Sequence, residues 1–392
     1  MGYKPVLISD IASINARQYS NKEQWPIIRY LDTGNVTKGK IGAPQVLDTS
    51  ADKVPSRARR KVKNASIVFS MVRPNQEHHA LLDYPPDDML VSTGFSVIDA
   101  DKSKVVPDYL YYALTTKEAT EHFQALAEQS VSTYPTLGID DLASFKIELP
   151  NIDVQRRVSF FLRMLDKKIA SNEQINDYLD EGLDALFKQE VLESIDNTWS
   201  QVSLLDIANY KNGLAMQKFR PEGNDFGLPV LKIKELGQGR CAADAERCRS
   251  DIDESVRVYD GDLIFSWSGT LLLDFWAGGN AGLNQHLFKV TSEKFAPWFY
   301  YLWTNYHMRK FIALAKDRAT TMGHIKRSAL AESEVYIPSE SRMNELRELF
   351  DPLVKEVISL KIESRELSEL RDALLPKLIS GGIDVSEIEE LG

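Results

Sequence analysis

Apolar side chains recur at alternating steps of four and three residues in two stretches of the chain. The first stretch runs from Val158 to Leu186, and the second, 188 residues later, runs from Leu346 to Leu374. This spacing is typical of a coiled coil, in which apolar side chains of one helix pack between those of another. Because so narrow a stripe does not stabilise a lone helix in water, we expect the two helices to pack against each other.

The predicted seam between these helices consists mostly of aliphatic side chains. Its positions are Val158, Leu162, Leu165, Ile169, Asn172, Asn176, Leu179, Leu183 and Leu186 in the first helix, and Leu346, Phe350, Leu353, Val357, Leu360, Ser364, Leu367 and Leu374 in the second. The same count passes through Arg371. We predict an antiparallel pair, which would relate the segments in front of the two helices by a pseudo-two-fold axis.

Three polar residues interrupt the seam near its middle, namely Asn172, Asn176 and Ser364. Buried polar groups in such a seam fix its register at some cost in stability. The same residues facing solvent would only mark a loosened point, and the sequence leaves both interpretations open. Pro376 lacks the amide hydrogen that a helix interior requires, so the second helix is expected to end near Leu375. The following SGGI is expected to form the cap of this helix and the start of a tail.

The segments in front of the two helices repeat each other. LISDIA at Leu7–Ala12 resembles SLLDIA at Ser203–Ala208, and ASIVFS at Ala65–Ser70 resembles GDLIFS at Gly261–Ser266, both 196 residues later. PDYLYY with PWFYYL, and FKIELP with EVYIP, follow in the same order. One duplicated unit explains all four pairs. The copies differ in the loops between these shared pieces, and variable loops on a common frame often carry recognition.

The pattern within each copy predicts the fold class. Short runs bounded by Gly, Asn and Pro, such as SIVFSMV and HLFKV, predict strands, and helical stretches follow them. The expected fold is α+β, with two tandemly repeated α/β domains separated by two long helices packed as an antiparallel coiled coil. The predicted boundaries are 1–151 for the first domain, 152–195 for the central helix, 196–339 for the second domain, 340–380 for the C-terminal helix and 381–392 for a tail.

The composition is that of an ordinary globular protein with more than one core, at 392 residues, 43% hydrophobic and 27% charged. No run of about 18 apolar residues and no signal-peptide layout is present, so a cytoplasmic protein is expected. Cys241 and Cys248 are the only cysteines, and no second Cys or His pair accompanies them as a zinc site would require.

A search for catalytic chemistry finds none. The chain has no GxGxxG opening a helix, no Walker loop, no HExxH and no GxSxG. DYPPDDM carries Asp87 where an amino-methyltransferase motif would need an aromatic ring to stack on a flipped base. We therefore expect a protein without a catalytic or metal site.

The charge of the chain points to local rather than general affinity for nucleic acid. A formal net charge of −10 opposes non-specific binding, which depends on Lys and Arg side chains at phosphates. The segment 57–63 nevertheless holds five cations in seven residues, namely Arg57, Arg59, Arg60, Lys61 and Lys63. From charge alone, this cluster is equally typical of a solvated loop or strand edge.

These features together resemble the specificity (S) subunit of type I restriction-modification systems over nearly the whole chain. The resemblance rests on PSRARRKVKNASIVFSMVRPN in the first copy, on LPVLKIKEL, GDLIFSWSGT, LNQHLFKV and MGHIKRSAL in the second, and on the helix ending LRDALLPKLISG. It implies two target recognition domains that each read half of a bipartite site in double-stranded DNA. The phrase before the first helix keeps the family's glutamine at Gln155, whereas Asn344 stands near the matching place before the second.

The resemblance also implies partners. Two methyltransferase (M) subunits are expected to dock on this frame, and restriction (R) subunits to join them. S-adenosylmethionine, ATP and Mg²⁺ would be bound by those partners, so no cofactor is expected on this chain. The main alternative is a coiled-coil adaptor or scaffold that binds proteins and no DNA, which the overall acidity favours.

Candidate DNA contacts are polar, basic and aromatic side chains at corresponding points of the two copies, and the favoured pairings are arginine with guanine and the amides with adenine. They are Arg57, Arg59, Arg60, Lys61, Arg73, Asn75, Gln76 and His78 in the first copy, and Trp267, Ser268, Thr270, Asn284, Gln285, His286, Lys316, Arg318, His324, Lys326 and Arg327 in the second. Structural alternatives stay open: Trp267 is more typical of a core, and Asn284 and Gln285 are also suited to holding loops.

Overall fold

The computed structural model describes residues 2–20, 22–130, 134–317 and 325–385. The chain divides into two compact units. The first comprises Met1–Asp166 together with Glu369–Gly392, and the second comprises Lys167–Ser368. Both divisions fall inside the two long helices, so each unit contains one segment of each helix.

The elements in front of the first long helix are twelve short strands and four short helices. The strands are β1 (Lys4–Leu7), β2 (Ala12–Ile14), β3 (Ile27–Leu31), β4 (Val36–Thr37), β5 (Lys40–Ile41), β6 (Gln45–Asp48), β7 (Ala58–Lys61), β8 (Ser66–Ser70), β9 (His79–Leu82), β10 (Met89–Ser92), β11 (Phe95–Ala100) and β12 (Lys146–Leu149) among the described residues. The helices are α1 (Ile8–Ile11), α2 (Pro107–Leu114), α3 (Lys117–Glu128) and α4 (Ile139–Ala143), with 3-10 turns at Thr33–Asn35 and Pro74–Gln76.

The remaining elements begin with the first long helix, α5 (Ile152–Glu190), and end with the second, α10 (Glu340–Ile379). Between them lie β13 (Ser200–Ser203), β14 (Asn209–Asn212), β15 (Leu228–Leu231), β16 (Arg247–Cys248), β17 (Arg257–Val258), β18 (Leu263–Ser266), β19 (Leu273–Phe275), β20 (Ala281–Leu283), β21 (Leu287–Thr291) and β22 (Glu334–Ile337). The helices there are α6 (Leu204–Ile207), α7 (Ile233–Gln238), α8 (Pro297–Asp317) and α9 (Arg327–Ala331), with 3-10 turns at Leu192–Ser194, Met216–Lys218 and Glu254–Val256.

The two copies contain the same three sheets. In the first copy the strand orders are β1-β12, β2-β11-β8-β9 and β6-β3-β10-β7, with a β4-β5 hairpin in addition. In the second copy they are β13-β22, β14-β21-β18-β19 and β16-β15-β20-β17. One pair in each third sheet is parallel, β3 with β10 and β15 with β20. The duplication predicted from sequence motifs is therefore a duplication of strand order.

The helices that follow β11 in the first copy and β21 in the second differ from each other. The stretch from Tyr109 to Leu126 forms two helices, α2 and α3, whereas the matching stretch of the second copy forms the single helix α8. Thr116 causes the break, because its hydroxyl group accepts a hydrogen bond from the amide of Ala119 at 3.1 Å and so caps the start of α3.

The long helices run antiparallel in each unit considered by itself. In the first unit, Arg371 of α10 donates to the Asp166 carboxylate of α5 at 2.7 Å, and Val158 shares a buried core with Leu378. In the second unit, Asn172 donates to Glu363 at 2.7 Å and Arg342 donates to Glu190 at 2.7 Å. Early residues of one helix thus meet late residues of the other, which confirms the predicted α+β class with its antiparallel helix pair.

The predicted seam positions are all buried or half-buried. Asn172 and Asn176 are 0% and 7% exposed, so they face the seam rather than solvent. The side-chain oxygens of Asn172, Asn176 and Ser364 have no hydrogen-bond partner among the described residues. A buried polar layer therefore lies in the second unit, where an unpaired oxygen costs stability.

The predicted end of the second helix near Leu375 is wrong, because α10 continues through Pro376 to Ile379. The proline removes one backbone hydrogen bond. Burial of Leu378 and Ile379 in the core of the first unit offsets that loss, and the amide of Ser380 still donates to Pro376 at 3.0 Å. The cap itself is glycine, since Gly381 has a φ of +76° and the amide of Gly382 donates to the Lys377 carbonyl.

Among the residues that the structure describes, no helix is long and apolar enough to span a membrane.

Candidate nucleic-acid interface

A short turn in each copy carries the chain from the third sheet to the second. It comprises Thr93–Gly94 between β10 and β11, and Asn284–His286 between β20 and β21. We call it the sheet-crossing turn. The loop after β8 contacts this turn in the first copy, since the amide of Met71 donates to Gly94 at 3.1 Å. The loop after β18 does the same in the second copy, where the amide of Trp267 donates to His286 at 3.4 Å. Met71 and Trp267 are 196 residues apart, so the turns are equivalent.

Arg57 lies across the sheet-crossing turn of the first copy. A Cβ atom at Gly94 would stand 2.9 Å from Arg57 Nη2 and 3.0 Å from Thr33 Cγ2. The amide of Thr93 also donates to the Arg57 carbonyl at 2.8 Å. The absence of a side chain at Gly94 therefore leaves the space that the exposed guanidinium group occupies.

Asp32 supplies a negative charge beside this arginine. It directly follows β3 and accepts a hydrogen bond from the Thr33 amide at 2.8 Å. Burial raises the pKa of Asp32, but this amide, the hydroxyl groups of Ser92 and Tyr30 and the charge of Arg57 outweigh it, so the pKa lies below its ordinary value. The carboxylate is therefore ionised at neutral pH and attracts the Arg57 guanidinium.

Arg73 occupies a strained position on the neighbouring loop. Its φ is +49°, in the left-handed region that side chains rarely adopt. The residue 196 positions later is Gly269, with a φ of +65°, for which this conformation costs nothing. The exposed Arg73 guanidinium stacks on the ring of Tyr134 at 4.7 Å, and its amide donates to Pro135 at 2.9 Å.

The other candidates that follow Arg73 divide into exposed and anchored side chains. Asn75 and Gln76 lie on the exposed 3-10 turn Pro74–Gln76. His78 is anchored, because its Nδ1 lies 2.5 Å from the Val36 carbonyl. Asn75 and Gln76 are thus presented to solvent close to Arg73, whereas one nitrogen of His78 is engaged by the backbone.

The basic cluster of the first copy does not act as one patch. Arg57 precedes β7, while Lys61 is the last residue of that strand. The Lys61 ammonium group pairs with Glu23 and lies 5.1 Å above the Trp25 ring, and this pairing lowers the pKa of Glu23. Lys61 faces a cleft of about 390 Å³ that is also lined by Arg17, Trp25, Lys63 and Tyr84.

Arg59 and Arg60 lie between these two ends on a strand that is paired on both sides. The amide of Tyr19 donates to the Arg59 carbonyl at 2.7 Å, and Arg60 pairs with Val91 of β10. Burial lowers the pKa of Arg60, whose Nε is buried without a hydrogen-bond partner among the described residues. Only part of the cation cluster therefore lies near the sheet-crossing turn.

Trp267 of the second copy packs beside the equivalent turn. Its ring centroid lies 5.7 Å from that of Phe288 and 6.0 Å from that of His286. Its Nε1 donates to Asn212 at 2.9 Å. The ring is half-buried, so the packing role expected as the alternative accounts for much of it.

The sheet-crossing turn of the second copy carries an ordered polar network. The buried Asn284 accepts a hydrogen bond from the His286 amide at 3.2 Å, which locks the turn. The Ser268 hydroxyl lies 3.0 Å from His286 Nδ1, and the Gln285 amide nitrogen lies 3.3 Å from His286 Nε2. Ser268 is buried, whereas Thr270 is exposed. The imidazole therefore links a buried hydroxyl group to the Gln285 amide.

Two lysines next to this network were missed by the sequence analysis. A cavity of about 350 Å³ is lined by Gln217, Lys232, Ile233, Lys234, Glu246, Asn284, Gln285 and His286. Lys232 is paired with Glu246 at 2.6 Å. The motif LPVLKIKEL contains both lysines, but only the parallel pairing of β15 with β20 brings them to the turn.

The second basic cluster is described in part. Arg318 and His324 lie outside the described residues, and so does the side chain of Lys316. Lys326 and Arg327 begin α9 next to Trp267, because the amide of Ile325 donates to the Trp267 carbonyl at 3.0 Å. The first copy has the same bond from Leu137 to Met71 at 2.7 Å.

Comparisons with known proteins find similar sequences and a similar fold. The model of the type I restriction modification DNA specificity domain matches residues 2–181. The specificity subunit of the type I restriction enzyme HindI from Haemophilus influenzae is 28% identical over 186 residues, covering 47% of this chain and 40% of that subunit. The MjaIX specificity subunit of Methanocaldococcus jannaschii is 24% identical over 289 residues, covering 66% of this chain and 65% of that subunit.

A solved structure shares the fold. The S subunit of a type I restriction-modification system from M. genitalium is 17% identical with a TM-score of 0.57, covering 97% of this chain and 96% of that one. The chain spans less than two thirds of the length of the curated relatives named above. Residues 2–181 thus match the model of the type I restriction modification DNA specificity domain, and the chain is similar to the specificity subunits of type I restriction enzymes.

Proposed function

We propose that this chain is the DNA sequence-specificity subunit of a type I restriction-modification complex. Residues 1–151 read one half of a bipartite site in double-stranded DNA, and residues 196–339 read the other half. The chain has no catalysis of its own and directs the chemistry of its partners to a sequence.

The exposed arginine at Arg73, held at a positive φ, is the observation that carries the proposal. A side chain held in the left-handed region costs about 1 kcal/mol or more, and such strain persists mainly at functional positions. The second copy shows that the frame accepts glycine at the same point. The fold therefore does not require an arginine at this point, and the exposed guanidinium group fits guanine or phosphate.

The polar chemistry around the sheet-crossing turns also supports DNA binding. Arginine, asparagine and glutamine are the side chains that pair with base edges, and the first copy carries Arg57 beside this turn while the second carries Asn284 and Gln285 on it. Lys234 of the second copy supplies positive charge next to the amides, as phosphate contacts require, whereas Lys232 is paired with Glu246. These local charges allow binding despite the net charge of −10.

The proposed partners are two methyltransferase (M) subunits and the restriction (R) subunits, which would bind S-adenosylmethionine, ATP and Mg²⁺. Apolar side chains of the long helices are available for contact with a partner, since Tyr178 is 63% exposed and Met164 49% on α5, and Leu370 is 46% exposed on α10.

Footprinting of the full chain together with the proposed methyltransferase subunit tests the proposal. Two protected patches divided by an unprotected gap are expected, and Arg73→Gly should weaken protection of one patch only. Lys117→Ala is the matched control, because it removes an exposed charge of the same unit that lies on α3. Absence of any protection would instead favour the adaptor interpretation.

A further inference from the structure

The sheet-crossing turns sit at equivalent points that differ in charge. Leu31 pairs with Val91 in the parallel pair of the first copy, and Leu231 pairs with Leu283 in that of the second. The next residue of the leading strand is therefore Asp32 in one copy and Lys232 in the other. One position of the fold is acidic in the first copy and basic in the second.

This point of the fold is suited to reading a base. Carboxyl ends of neighbouring parallel strands bring their following loops together at one edge, where side chains can converge on a ligand. The loop that holds Arg73, or Trp267 in the second copy, is hydrogen-bonded to the same turn. A DNA strand that contacts Arg73 therefore passes close to the turn of the first copy.

The first copy offers an arginine fork at the turn. Arg57 lies over Gly94, where any side chain would collide with its Nη2. The negative charge of Asp32 attracts the guanidinium group, and the amide of Thr93 holds the Arg57 backbone by donating to its carbonyl at 2.8 Å. A guanidinium group donates two parallel hydrogen bonds, and this matches O6 and N7 of guanine in the major groove.

The second copy offers an oriented amide at the turn. Gln285 is half-buried, and its amide lies 3.3 Å from the His286 ring, which Ser268 holds at 3.0 Å. Asn284 fixes the backbone of the same turn. A glutamine amide can both donate and accept a hydrogen bond, and this matches N7 and N6 of adenine.

We propose that the sheet-crossing turn is the base-reading element of both copies, with Arg57 selecting a guanine in one half-site and Gln285 selecting an adenine in the other. Gly94 and Ser268 act as positioning residues, the first by leaving room for Arg57 and the second through His286. The inference rests on the proposed DNA-specificity function and deepens it.

The test is a base-resolution map of methylated sites in a host that carries the full chain with its methyltransferase. Arg57→Ala should relax one guanine of one half-site by about 5- to 150-fold, which corresponds to the usual value of a bidentate base contact. Gln285→Ala should relax one adenine of the opposite half-site by a similar factor. All other positions of the target should keep their preference.

Further variants separate base reading from charge and from folding. Arg57→Lys keeps the charge but loses the fork, so it should relax the same guanine as Arg57→Ala. Gly94→Ala displaces the flexible guanidinium group without removing it and should relax that guanine too. Ser268→Ala should relax the adenine read by Gln285, whereas a merely structural role would lower methylation at all sites equally. Lys117→Ala should change nothing.

The outcomes distinguish this inference from the proposed function. A wild-type chain that directs methylation to no particular sequence would overturn the proposed function and this inference together. A split target that Arg57→Ala and Gln285→Ala leave unchanged would overturn the inference alone. A uniform loss over all sequences, with only a changed salt dependence, would make both residues phosphate ligands and would equally overturn it.

Discussion

The two copies share three sheets of the same strand order, yet they place their charges differently. In the first copy, β7 carries Arg59, Arg60 and Lys61 in succession. In the second, the matching strand β17 has Arg257 alone, and its guanidinium group donates to the carbonyls of Ile252 at 3.1 Å and Ser250 at 2.5 Å. The buried apolar positions thus specify the frame, while the polar positions have diverged, as two different half-sites would require.

The strongest contrast in stability is at the second residue of α2 and of α8. Asp108 holds this position in the first copy and Trp298, 190 residues later, holds it in the second. Trp298 is fully buried and stacked on Phe350 of α10 at 4.9 Å. Trp298→Ala should lower the free energy of unfolding by about 3 to 5 kcal/mol, because it leaves a large cavity. Asp108→Ala should cost about 1 kcal/mol, since Asp108 is partly exposed and its ion pair with Arg163 at 2.9 Å contributes little.

Chemical denaturation of the two variants measures this contrast. Trp298→Phe is the control for ring size, because the Trp298 Nε1 has no hydrogen-bond partner among the described residues and its loss is inexpensive. Equal destabilisation by Trp298→Ala and Asp108→Ala would contradict the packing difference.

The second contrast is the acid sensitivity of the first copy. His79 of β9 is buried, and burial together with the charges of Lys38, His78 and Arg371 lowers its pKa from 6.5 to about 4. A lowered histidine pKa contributes stability that is full above pH 6.5 and is lost as the pH falls toward 4. The loss should amount to about 3 kcal/mol at pH 4.

Leucine stands at the matching position of the second copy, because Phe69 pairs with His79 whereas Phe265 pairs with Leu273. His79→Leu should therefore remove this part of the pH dependence of unfolding between pH 7 and 4. His307 in the second unit also has a pKa lowered by burial, so a smaller acid effect should remain. An unchanged pH profile in His79→Leu would exclude His79 as the cause.

The third contrast concerns the helix pair. In the first unit an ion pair between Asp166 and Arg371 joins the helices, whereas in the second unit the buried Asn172 and Asn176 lie on the seam. Changing both asparagines to leucine should raise the free energy of unfolding by about 2 kcal/mol, because removal of two buried oxygens without partners outweighs the loss of the hydrogen bond from Asn172 to Glu363.

The same change should leave the helix register less well defined, since a buried polar residue is what commonly specifies it. Cysteine pairs placed across the helices can report the register through disulfide formation. A double variant that is more stable and forms only the original cross-link would contradict a register role for the asparagines.

The smallest expected effect on stability is at Arg73, whose counterpart is Gly269. Arg73→Gly should leave the free energy of unfolding unchanged or raise it by up to about 1 kcal/mol, because glycine relieves the positive φ. The reverse change, Gly269→Arg, should cost about as much as the first change gains. Thermal unfolding of both variants measures this pair, and a clear loss of stability in Arg73→Gly would show that the arginine serves the fold.

The helix pair and the repeat were predictable because both depend on the spacing of apolar residues. Leu162 and Phe350 of the seam are fully buried, as a local 4-3 pattern predicts. Pro376 shows the limit of local rules, since packing of Leu378 overrides the helix-breaking tendency of proline. The break at Thr116 likewise depends on a side-chain cap that the periodicity does not encode.

The candidate site was predictable by residue type but not by arrangement. Arg57 and Gln285 were expected from their chemistry, whereas Asp32 and Lys232 were missed because their nearness to the turn depends on a parallel strand pairing between distant segments. The five-cation cluster was expected as one patch, but the pairing of β7 directs Arg57 and Lys61 to its two ends.

The most direct measurement is a base-resolution methylation map of the wild-type chain and Arg73→Gly, each expressed with the methyltransferase subunit proposed as its partner. The account predicts a split target with an unread gap in the wild type, and a loss of preference confined to one half of that target in the variant. A single continuous motif in the wild type, or an equal change in both halves in the variant, would contradict the claim that two copies of one frame read two different sequences.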